Sequence, residues 1–78
     1  MGVFDPAAWV AEYEAIGGQV DAVRPPMGGE GRCLALTFPP VAAGRGNDLL
    51  IELNQPSDRL ARGRAVLDYV VTLGRIQR

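Results

Sequence analysis

The sequence has no histidine and no lysine, and only one cysteine, one serine and one tryptophan. Each shortage closes off chemistry. Without histidine, neither Cys33 nor Ser57 has the usual base to activate it as a nucleophile. Without histidine or clustered cysteines, the common zinc ligand sets are not available. A lone cysteine builds no disulfide framework, which fits a reducing compartment. The carboxylates do not follow the spacing of a calcium loop. Glu12 with Asp21, or Glu52 with Asp68, are the remaining acid–base candidates, and nothing in their spacing brings them together. The glycine-rich run Gly28-Gly29-Glu30-Gly31-Arg32 lacks the Gly-Lys-Ser/Thr ending and the following helix of a phosphate loop, so it reads as a hairpin tip. Gly44-Arg45-Gly46-Asn47 reads as a turn. Together these absences point away from an enzyme, and no cofactor or metal is expected.

Long hydrophobic runs are missing too. No segment approaches the ~20 apolar residues of a membrane span, so no membrane association is expected. The opening Met1-Gly2-Val3-Phe4-Asp5-Pro6 lacks the basic start and apolar centre of a secretion signal. Pro6 stands where a myristoylation signal needs Ser or Thr. The expected location is the cytoplasm.

What is present is one domain, residues 1–78. A chain this short has a marginal core, and self-association as a homodimer is one way to add to it. All eight basic residues are arginine, amid abundant Ala, Gly, Val and Pro, as in small proteins of GC-rich bacteria or their phages and mobile elements. The formal net charge is −1 and the pI about 5.2. Charge is unevenly placed. Residues 1–21 carry four carboxylates and no arginine, while residues 59–78 carry five arginines against Asp68 alone. Two oppositely charged helices attracting across the fold would explain this, as would a basic surface for an acidic partner.

The clearest strand is 33–38, where Leu34, Leu36 and Phe38 alternate with Cys33, Ala35 and Thr37. Before it, Asp5 and Pro6 specify a helix start, with Phe4 and Trp9 at hydrophobic-staple spacing. Trp9, Tyr13 and Ile16 form the apolar stripe, and Gly17 is placed for a left-handed cap. Residues 19–24 read as a strand with Val20 and Ala22 inward. Residues 25–32 form a long hairpin connection, Pro39-Pro40 stops the central strand, and 41–47 is a loop. In 48–54, Leu49, Ile51 and Leu53 alternate with Leu50, Glu52 and Asn54, which favours a third strand. Leu49, Leu50 and Leu53 would also suit a helix. A last helix starts near Pro56-Ser57-Asp58 with Ser57 as cap. Its stripe is Leu60, Leu67, Val70 and Val71, widened by Val66 and Leu73, with Gly63 placed for close approach to the sheet. Gly74 begins the exit into a frayed tail.

The expected fold is therefore a small α+β domain of order α-β-β-β-α, its three-stranded, mainly antiparallel sheet covered on one face by both helices. The uncovered face would carry Val23, Ala35, Thr37 and Leu50, rimmed by Glu52, Asp21 and Gln19. That patch motivates a non-enzymatic protein-interaction module, an adaptor, regulator or inhibitor, that binds a protein partner or a second copy through Val23, Ala35, Thr37, Leu50 and Glu52. The alternative is a nucleic-acid-associated regulator using Arg59, Arg62, Arg64 and Arg75. Their scatter around the helix and the acidic pI argue against it.

Overall fold

The computed structural model describes residues 3–77, with Ala42 described by its backbone alone. Helix α1 (Pro6–Ala15) leads into strands β1 (Gln19–Val23) and β2 (Cys33–Thr37). A single 3-10 turn (Pro40–Ala42), helix α2 (Ala43–Leu53) and helix α3 (Arg59–Thr72) follow. The domain is α+β: three helices pack on one face of a two-stranded antiparallel sheet.

Helix α1 starts as its sequence dictates. The Asp5 carboxylate accepts a 3.0 Å hydrogen bond from the Ala7 N–H, and Pro6 occupies the first turn. At the other end Gly17 takes φ 93°, and the Gly18 N–H donates to the Tyr13 carbonyl at 3.0 Å, closing a left-handed cap. Trp9, Val10 and Tyr13 are buried, while Phe4 and Ile16 pack at the margin. In the hairpin, Val20 lies opposite Leu36 and Ala22 opposite Leu34. The pleat sends these four side chains to one face, where Trp9, Leu49, Leu53, Val66, Leu67 and Val70 complete the core.

The expected third strand over 48–54 is instead the second half of α2, and the expected loop 41–47 supplies the 3-10 turn and the start of that helix. Spacing explains the outcome. Gly46, Leu49 and Leu53 are buried at helical intervals, whereas Ile51, which a strand would turn inward, is 62% exposed. Gly46 is the small residue that lets α2 approach, since a Cβ there would meet the Phe38 ring at 2.6 Å. Asn54 and Gln55 side chains donate to the Leu50 and Ile51 carbonyls at 2.8 and 3.1 Å, satisfying acceptors that the end of α2 leaves open.

Helix α3 also departs from expectation. It starts at Arg59 after Asp58, with no side-chain capping bond, so Ser57 is not the cap. Its buried residues are Val66, Leu67 and Val70, while Leu60 is 84% exposed and Val71 and Leu73 reach solvent. Gly63 makes no close approach: a Cβ there would meet nothing within 4 Å. Gly74 does begin the exit, with φ 77°. The tail to Gln77 is paired rather than frayed, for Ala22 donates to the Arg75 carbonyl at 2.9 Å and accepts from the Gln77 N–H at 2.8 Å. Ile76 thereby forms a parallel bridge to β1, leaving β2 as an edge rather than the central strand.

Candidate functional site

Because no third strand follows β2, the first turns of α3 overhang an open groove of ≈ 460 Å³. Leu34 and Leu36 of β2 form its floor, Leu60, Gly63 and Leu67 of α3 its wall, and Leu53 closes one end. Arg59, Arg64 and Asn54 supply the polar rim. A second depression continues past Arg64 and Leu67 to Arg32 at the start of β2. Leu60 is at the correct angular position for the helix's apolar stripe, seven residues before Leu67. It is exposed because nothing lies beneath it. Periodicity in the sequence marks the face; which part of that face finds a cover is a tertiary matter.

The residues expected to form a second-face patch are divided by the structure. Val23, Ala35 and Thr37 do share the sheet face away from the helices, with Cys33 beside them. Leu50 and Glu52 do not, since both belong to α2. Leu50 packs at the core margin, so Leu50→Glu disturbs packing instead of probing the outer face. Asp21 is also displaced from its expected rim position. It pairs with Ala35 in the ladder and so stands in the middle of the outer face, accepting a 2.8 Å hydrogen bond from the Gln77 amide. A carboxylate at its centre makes that face a poor apolar contact.

The four arginines of the alternative site are not brought to one surface. Arg62 lies over the Phe4 ring, 5.3 Å from its centroid, and donates to the Glu52 carbonyl at 2.7 Å. Arg64 pairs with Asp68 one turn along α3. Arg75 Nη1 lies 2.7 Å from Glu14 Oε2, close enough for an ion pair although out of line for a good hydrogen bond. That Glu14 contact, opposed by burial, holds the Arg75 pKa further above its ordinary value. Arg45 of α2 pairs with Glu12. The acidic first helix is thus engaged by basic groups from α2 and the tail, the attraction across the fold that the charge distribution suggests. Among the described residues, Arg59 has no ion pair and stands at the groove.

The acid–base candidates are also separated: Glu12 goes to Arg45, Asp21 to Gln77 and Asp68 to Arg64. No group of three or more potential metal ligands occurs among the described residues. Gly28 to Arg32 is the hairpin tip, with Gly28 and Gly31 at positive φ. No helix among the described residues is long and apolar enough to cross a membrane.

One buried polar atom lies outside the groove. Tyr13 is fully buried between the stacked Trp9 ring and the edge of Phe38, and its hydroxyl has no hydrogen-bond partner among the described residues. Burial raises its pKa above the ordinary value of 10.0. The unfolded chain therefore loses this proton first, and the folded state loses stability as pH rises from ~10 toward the folded pKa. Tyr13→Phe should flatten that alkaline loss. At neutral pH it should stabilise by about 1–3 kcal/mol, because an unpaired hydroxyl is no longer buried. Urea titrations of both chains at pH 7 and above pH 10 check both expectations, and a destabilised Tyr13→Phe variant would show that the hydroxyl has a partner.

The fold and groove define a small α+β domain with an incompletely covered edge strand. No family model, no curated protein and no solved structure matches this chain.

Proposed function

We propose that this chain is a non-enzymatic protein-interaction module, a small adaptor, regulator or inhibitor, whose docking surface is the groove between β2 and α3. The observation that carries this reading is Leu60, 84% exposed above an apolar floor of Leu34 and Leu36. A large aliphatic side chain at the mouth of an apolar groove is the kind of anchor around which interfaces concentrate their binding energy. The groove is preferred to the outer sheet face because its centre is apolar and its charges lie on the rim, the arrangement of protein interfaces.

The test is affinity capture from the source cell with the parent chain and with Leu60→Asp. Leu60 contributes little to the core, so the variant should keep its melting temperature. The proteins retained by the parent should be lost from Leu60→Asp by about tenfold or more. An unchanged retained set would rule out the groove as the docking surface.

A further inference from the structure

The outer edge of β2 and the groove beside it form one continuous surface. Among the described residues β2 pairs only with β1, and no other backbone or side-chain group bonds to Cys33–Thr37. Alternate N–H and C=O groups along its free edge are therefore open to another strand. Natural edges are commonly blunted by charge, proline or a bulge, and β2 carries no charged residue and no proline. A strand laid along it would turn every second side chain into the groove over Leu36, Leu60 and Gly63.

Charge decides what kind of strand fits. The surface is flanked by Arg59, Arg64 and Arg32, and the one carboxylate lining it, Asp68, is already held by Arg64 at 3.2 Å. A second copy is a poor occupant. Antiparallel pairing of two β2 edges places both helical layers on the same side, so the two arginine rims would confront each other. We infer that the groove takes an extended peptide segment with alternating apolar residues and acidic ends, which adds to β2 as the missing third strand. This deepens the interaction-module reading and rests on it. The backbone ladder supplies part of the affinity, the groove selects apolar side chains, and the arginines select carboxylates.

The test uses the full chain and a fluorescent probe, Asp-Glu-Val-Thr-Leu-Thr-Val-Glu-Asp, read by anisotropy. Three controls accompany it: the probe with arginine at its four acidic positions, the probe with backbone N-methylation at alternate residues along either edge, and the parent chain alone in sedimentation. The acidic probe should bind at least about tenfold more tightly than the arginine probe, and the preference should shrink as salt rises. N-methylation along the pairing edge should abolish binding. Gly63→Phe, which directs a ring into open groove, should also abolish it without lowering the melting temperature, and Arg59→Glu should move the preference toward the arginine probe. Equal binding of the two charge forms, indifference to N-methylation along both edges, or no binding of the acidic probe would overturn the inference. So would a dimer that Leu60→Asp dissociates, because the occupant would then be a second copy. If cell proteins depend on Leu60 for capture while the acidic probe fails to bind, strand addition is wrong and the interaction reading stands. If captured proteins ignore Leu60, the interaction reading itself is lost.

Discussion

Trp9→Ala should remove most of the stability of this domain. Trp9 is 3% exposed, stacks on Tyr13 with ring centres 5.0 Å apart, and donates from Nε1 to the Leu49 carbonyl at 3.0 Å. It therefore ties α1 to α2 by both packing and a buried hydrogen bond across forty positions of sequence. Truncating a buried tryptophan costs about 3–5 kcal/mol through lost burial and the cavity left behind. A chain of this size has about 4–12 kcal/mol in total. Urea unfolding of the variant should show a midpoint near zero denaturant or an already unfolded chain. A cost below about 1 kcal/mol, a typical surface-level effect, would mean that α2 does not dock on Trp9 as described.

The second large effect is expected at Gly18. It has no positive φ, and by conformation alone alanine is acceptable there. Space forbids it. A Cβ at Gly18 would stand 2.7 Å from the Tyr13 carbonyl, the acceptor of the bond that closes α1, and would also strike the Tyr13 ring. That ring is held between Trp9 and Phe38 and has nowhere to turn. Gly18→Ala should cost about 1–3 kcal/mol or more, as overpacking a filled site does. Gly17→Ala forces an L residue to φ 93° and brings its Cβ to 3.2 Å of the Pro39 ring, which is tight but yielding. Its cost should be about 1–2 kcal/mol. Thermal melts of the two variants decide the order, and a Gly18→Ala chain as stable as the parent would show that Tyr13 is not fixed where it stands.

These two glycines illustrate how much of the fold is legible in sequence. The role of Gly17 is local, because a glycine after an amphipathic run marks a left-handed cap whatever surrounds it. The role of Gly18 depends on a ring fixed by residues far away in sequence. The candidate site shows the same division. Leu34, Leu36, Leu60 and Leu67 are visible as apolar positions with strand or helix spacing. That Leu60 is left uncovered is not visible, because it depends on what the segment 48–54 becomes.

The sequence by itself determined the start and end of α1, the hairpin and its inward face, the stop at Pro39-Pro40 and the exit at Gly74. Each is set by residues within a few positions of one another, through capping, φ restriction and period-two alternation. Only the tertiary structure decided that 43–53 is a helix, since Leu49 and Leu53 satisfy either period and the Trp9–Leu49 bond and the Phe38–Gly46 contact are made across the fold. It also decided that Ile76 pairs with β1 and that β2 stands at the sheet's edge. Strand order and burial are properties of contacts between distant residues, and the local spacing of apolar positions is compatible with more than one set of such contacts.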